Sequence, residues 1–153
     1  MTGTPVRPRL GRLAGPVVID ASVAVEYLVA LTLTKRAQTV FRATAEREIE
    51  LWAPDLIFPE SVSALRRLVR FRAIPASAGD VAVGQLIELP IAIVPTRGLV
   101  RQTWPLRDVL TSYDACYAVL AEALEAPFIT ADRPLVKALR ARGKGAVFLG
   151  DLS

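Results

Sequence analysis

Residues 110–135 read LTSYDACYAVLAEALEAPFITADRPL, and this stretch decides the fold. It contains a helix, a strand and the opening of a second helix, in that order. Across 112–125, Tyr113, Tyr117, Leu120 and Leu124 recur at i, i+4, i+7 and i+11, the spacing of an amphipathic helix with one apolar stripe. Residues 127–130 then form a short apolar run of the kind buried in a parallel sheet. A further helix is expected over 133–142, with Gly143 as its stop.

The same alternation extends in both directions. Toward the amino end, Pro16-Val17-Val18-Ile19 is a buried strand closed by Asp20. Ser22 is expected to cap a helix over 23–30, and Thr34 a second over 35–48. Pro54 and Asp55 should begin a third helix that runs to residue 72, with Phe58, Val62, Leu65 and Val69 as its apolar stripe. Pro59 falls near its first turns, where a missing amide hydrogen costs least. A fourth helix over 75–89 leads to a strand at 91–94 and a short helix near 98–103. Beyond Gly143, residues 146–149 form the last strand. Strands separated by helices imply an α/β fold, with a central mostly parallel sheet covered on both faces, in three layers. Residues 16–153 make one domain, and 1–15, rich in Pro, Gly and Arg, read as a flexible basic tail.

Composition narrows the chemistry. The chain of 153 residues is 52% hydrophobic and 22% charged, a globular balance, and contains no histidine and one cysteine, Cys116. Four-ligand zinc sites, histidine-based triads and internal disulfides are therefore excluded. Cys116 reads as a small buried hydrophobe. The run Val17-Val18-Ile19 is too short for the core of a secretory signal, and nothing approaches a membrane span. The expected location is cytoplasmic. The net charge of +4 shrinks to about +1 once Arg7, Arg9 and Arg12 of the tail are set aside, so local clusters matter more than the overall field. Two clusters stand out: Arg66, Arg67, Arg70 and Arg72, and Arg133, Lys137, Arg140, Arg142 and Lys144. Each reads equally well as a solvated helix face.

Of fifteen acids, eleven fit exposed helix faces, helix starts or polar connections; Glu26, for instance, is expected exposed on the first helix, and Glu50 at a helix end. Four do not. Asp20 follows a buried strand directly, and Asp132 stands two residues past another, both at the sheet edge where α/β sites are built. Asp114 opens the helix beside its buried stripe, and Glu60 lies next to the stripe of the third helix on a row with Ser63, Arg67 and Arg70. Each has a plainer alternative. Asp20 or Asp132 would cap the helix that follows it, and Glu60 would pair with Arg67. Clustered carboxylates repel one another unless a cation is bound, and in a chain without histidine carboxylates and a hard metal are the natural catalytic tools.

The segments VVIDASV, APDLIFPESVSALRRL and LTSYDACYAVLAEALEAPFITADRPL, in this order and spacing, resemble the PIN domain, and in particular the VapC-type toxin ribonucleases of toxin–antitoxin pairs. The resemblance covers 17–149. It implies a PIN-like fold and places the family's acids on Asp20, Glu60, Asp114 and Asp132. Many relatives carry asparagine three residues after the glutamate; this chain has Ser63. Taken with the residues, it implies an endoribonuclease dependent on Mg2+, with Mn2+ as a substitute. Asp20 and Asp114 would contact the metal directly, with Glu60 and Asp132 acting through water, on a second ion or on the nucleophile. Ser22 and Thr130 would hydrogen-bond the acids, and Arg67 and Arg70 would contact RNA phosphates. An antitoxin lying in the active-site groove and a homodimer are implied as partners, with 28–33 and 81–89 as candidate dimer surfaces. Two rivals exist. A receiver domain needs adjacent acids after its first strand, where this chain has Ala21 and Ser22. A PIN-like scaffold that binds RNA or protein without cutting would not need all four acids.

Overall fold

Parallel strands cannot be joined by tight turns, so each pair demands a crossover, and this chain supplies one every time. The computed structural model describes residues 13–152. Its strands are β1 (Gly15–Ile19), β2 (Ile49–Pro54), β3 (Ile91–Val94), β4 (Phe128–Thr130) and β5 (Ala146–Phe148). They form one sheet in the order β3-β2-β1-β4-β5, with every neighbouring pair parallel. The helices are α1 (Ala21–Leu28), α2 (Thr34–Ala45), α3 (Ile57–Arg70), α4 (Ala76–Ile87), α5 (Val100–Thr103), α6 (Ser112–Ala123) and α7 (Arg133–Arg140). They cover the sheet on both faces in a three-layer α/β/α arrangement, with α6 packed across β1, β2 and β4.

Apolar burial holds the layers together. Val17, Val18 and Ile19 of the central strand are fully buried, and every residue of α6 from Ala115 to Ala121 is buried. A smaller cluster of Val25, Val29, Leu65, Ile74 and Ala82 joins α1, α3 and α4. The chain leaves β1 toward β2 and β3, then returns to lay β4 on the other side of β1. That reversal opens a crevice at the carboxyl ends of β1 and β4, where α/β sheets place their sites.

Several elements differ from the sequence expectations. The second helix stops at Ala45, and β2, which was not expected, follows, so Glu50 lies on a strand. Pro54 closes β2 and does not open α3. Thr34 is not a cap; its hydroxyl accepts from the Leu31 amide and donates to the Val29 carbonyl. On α3 the buried row is Ile57, Ser61 and Leu65, rotated from the expected stripe, and Val62 is exposed. On α6, Tyr113 is exposed, and burial begins at Ala115. Glu26 is half-buried and accepts from the Leu33 amide at 2.9 Å, which closes the turn into α2. Asp55 accepts from the Thr96 amide and so ties the ends of β2 and β3. α7 stops at Arg140, two residues short of the expected 142, and Gly143 sits in the turn beyond it at φ 71, the left-handed conformation that glycine adopts without strain. Of the expected tail, residues 1–12 lie outside the described residues, and Gly15 already belongs to β1.

Candidate active site

β1 ends at Ile19, and Asp20 turns the chain into α1. Asp20 itself is the cap: its side chain accepts from the Ser22 amide at 3.1 Å and the Val23 amide at 3.4 Å, so Ser22 lies inside the helix. The Ser22 hydroxyl donates to Oδ1 and the Thr130 hydroxyl to Oδ2, both at 2.5 Å. Those two hydroxyls are held in turn, Ser22 Oγ accepting from the Ala131 amide at 2.9 Å and Thr130 Oγ1 from the Asp132 amide at 3.1 Å. The ends of β1 and β4 are thereby latched around one carboxyl.

That carboxyl is 7% exposed, and burial raises its pKa from the ordinary 3.8 to about 6. The hydrogen bonds from Ser22, Thr130 and the Val23 amide oppose the rise, and the charge of Asp114 adds to it. Burial thus outweighs the three neutral donors. Asp114 stands in the first turn of α6, whose cap Thr111 accepts from the Asp114 amide at 3.1 Å. It is half-buried, and its pKa is raised by burial and then by the charge of Asp132, with Thr111 opposing. Glu60, half-buried in the first turn of α3, is raised by burial first. A 2.7 Å hydrogen bond from the Tyr117 hydroxyl lowers it, and Asp114 raises it again. Asp114 is therefore the middle member, felt by Asp20 and Glu60 and itself feeling Asp132.

Asp132 is exposed and caps α7, accepting from the Leu135 amide at 3.0 Å. Both capping alternatives thus describe real bonds. The alternative for Glu60 does not, since its partner is Tyr117 and not Arg67. Among the described residues the one ion pair is Lys144–Glu122, remote from these acids in partner and position. Also among them, no three acids stand close enough to enclose an ion. The carboxylates share an edge of the sheet without forming a closed cage.

Arg67 lines a groove of about 440 Å³ between α1 and α3 that begins at Ser22 and Ala131. Arg70 does not share it; it faces a depression between α3 and α4 lined by Val62, Asp80 and Val83. Tyr117 is the site residue the sequence reasoning missed, having been assigned to the apolar stripe alone. The available signal was the hydroxyl, since a tyrosine on a buried helix face needs a polar partner. Cys116 is buried, and burial followed by the charges of Glu60 and Asp55 pushes its thiol up, away from the reactive thiolate.

Comparison with known proteins agrees with this geometry. A family model described as PIN domain matches residues 17–139. Ribonuclease VapC9 of Mycobacterium tuberculosis is 37% identical over 116 residues, covering 76% of this chain and 85% of that protein. Ribonuclease VapC12 of the same organism is 32% identical over 121 residues, covering 79% and 90%. Among solved structures, a protein from Pyrobaculum aerophilum matches with a TM-score of 0.61 at 20% identity over 90% of this chain and 93% of its own. VapBC2 from Rickettsia felis, crystallised with a DNA fragment from its promoter, matches with a TM-score of 0.58 at 10% identity over 87% and 98%. At those identities the structures speak for the fold.

Proposed function

The chain belongs to the PIN-domain family, and on that premise we propose that it is an endoribonuclease, the toxin of a toxin–antitoxin pair, which cuts RNA with a divalent metal bound by its carboxylates. The observation that carries the reading is the state of Asp20. It is buried where the carboxyl ends of β1 and β4 meet, hydrogen-bonded at both oxygens by Ser22 and Thr130, and it feels the charge of Asp114.

The donor set suits Mg2+, which takes oxygen ligands and keeps several waters, and Mn2+ accepts the same oxygens. Retained waters also fit carboxylates that share an edge without enclosing an ion. Asp20 and Asp114 would hold the ion. Glu60 and Asp132 would reach it through water, bind a second one or orient the attacking water. When bound, the metal lowers the pKa of the attacking water and offsets charge on the phosphate and the leaving oxygen. The chain's own part is orientation. Ser22 and Thr130 keep the Asp20 oxygens in one setting, and Tyr117 does the same for Glu60. The exposed Arg67, on the groove that begins at Ser22, is the better placed of the two arginines to take a phosphate.

We propose two partners as well. A cognate antitoxin would restrain the enzyme, its terminal segment lying along the groove between α1 and α3. A homodimer would cover Val62, Val81, Val83 and Ile87, which α3 and α4 leave exposed. No helix among the described residues is long and apolar enough to cross a membrane. A cytoplasmic location is proposed from the RNA substrate.

The test is cleavage of RNA by purified protein with Mg2+ or Mn2+, with EDTA, and with Asp114→Asn. Loss of cleavage in EDTA and in the variant supports the reading, and full activity in EDTA overturns the metal. A scaffold that binds without cutting draws on the open spacing of the acids; RNA binding with no cleavage under any metal would favour it.

A further inference from the structure

The second basic cluster, Arg133 to Lys144, is divided by the structure into groups with different work. Arg140 donates through Nε to the Ala146 carbonyl at 3.1 Å, bracing α7 against β5. Lys144 pairs with Glu122 at 2.7 Å. Arg133 does neither. Its guanidinium lies over the face of Phe148, 4.1 Å from the ring centroid, and it is exposed to solvent.

Three features make this arrangement a built one. Phe148 itself is 9% exposed, so the ring presents one face to the arginine and is held by the core elsewhere. Gly150 leaves the room the ring occupies, because a Cβ there would run into Phe148 Cε1. The ladder pairs Thr130 with Phe148, so the ring lies one strand across from the hydroxyl that binds Asp20. Adjacent strands are about 4.8 Å apart and Arg133 directly follows Asp132, so the stacked guanidinium belongs to the same end of the sheet as the acids. Stacking on an aromatic face fixes the plane of a guanidinium while leaving its N–H edge free.

We propose that Arg133, fixed on Phe148, binds an RNA phosphate next to the scissile one and so sets the strand in register with the acids. The inference rests on the ribonuclease reading above. A planar fork aimed from a rigid platform recognises a phosphate by two parallel hydrogen bonds, which a lysine at the same place does not reproduce. The cluster is therefore not uniformly a solvated helix face. One of its members is committed to the substrate, and two to the fold.

Binding of a single-stranded RNA oligonucleotide, measured in EDTA across a salt series, tests this without cleavage. Arg133→Gln should weaken binding roughly tenfold to a hundredfold, the loss of one charge-assisted contact. The slope of log K against log salt should become shallower by about 0.7. Arg133→Lys should keep the slope and lose most of the affinity. Phe148→Leu should do the same, because the charge stays while its platform goes. Under Mg2+, Arg133→Gln should raise KM more than it lowers kcat. Equal affinity and equal salt slope for wild type and Arg133→Gln overturn the inference and leave the ribonuclease reading intact. Failure of the wild type to bind RNA at all overturns both.

Discussion

Replacing Asp20 with asparagine keeps the shape of the side chain, and asparagine caps helices about as well as aspartate. What it removes is the charge. The folded protein holds the Asp20 proton up to about pH 6, whereas the unfolded chain gives it up near 3.8. Between those values the folded state binds more protons than the unfolded one, so stability falls as pH rises through the window. Below about pH 4 both states are protonated and Asp20 costs nothing; above about pH 6 the full cost is present. At about 1.4 kcal/mol per pH unit, that cost is about 3 kcal/mol. Asp20→Asn should therefore match the wild type at pH 4 and exceed it by about 3 kcal/mol at pH 7.5, in EDTA. For a domain of this size that corresponds to a Tm higher by roughly 10 °C. Thermal melts followed by circular dichroism at pH 4, 5, 6 and 7.5 measure it, and the other acids cancel because both proteins contain them. A variant less stable than wild type by the same amount at every pH would refute the reasoning, and would leave Asp20 as a cap and latch only.

Three further outcomes are expected. Mg2+ at a hundred times its Kd should stabilise the wild type by about 2.7 kcal/mol and Asp20→Asn by much less, as read from melts with and without EDTA. Tyr117→Phe removes the donor that lowers the pKa of Glu60, so that pKa rises further. The acid limb of the kcat/KM profile should then move to higher pH, and an unmoved limb would separate Glu60's ionisation from the rate. Arg67→Ala should weaken RNA binding more than Arg70→Ala, since only Arg67 lines the groove that begins at Ser22; equal effects in a filter-binding titration would assign RNA to a broader face.

The strands beside the site were legible because they are buried on both faces and read as unbroken apolar runs, each followed by an acid. β2 was not. Ile49, Leu51 and Ala53 are buried while Glu50 is exposed, an alternating pattern that follows Glu46, Arg47 and Glu48 and reads as the fraying end of a helix. The usual stop signal is also missing, since Arg47 takes φ 61, a position where glycine is the common choice. The candidate acids could be picked out by position along the chain, whereas their spacing and state could not. Those depend on hydroxyls more than a hundred residues away, as with Thr130 and Asp20, and on a tyrosine hydroxyl that only the packed α6 brings to Glu60.

The pairing of Val18 with Phe128 and of Ile19 with Ile129 also sets the order in which the protein is completed. A ribosome makes β1, β2 and β3 first, and these can pair while β1 keeps one bare edge. Asp114 and Thr130 emerge only afterwards, and the carboxyl end of β1 acquires its neighbour last. A growing chain therefore carries Asp20 and Glu60 without the groups that would set them to work. The site is completed only as β4 takes its place beside β1. A chain severed in the connection before α6 would yield two inert halves, and cleavage of RNA on mixing them would show that the strand pairing itself completes the enzyme.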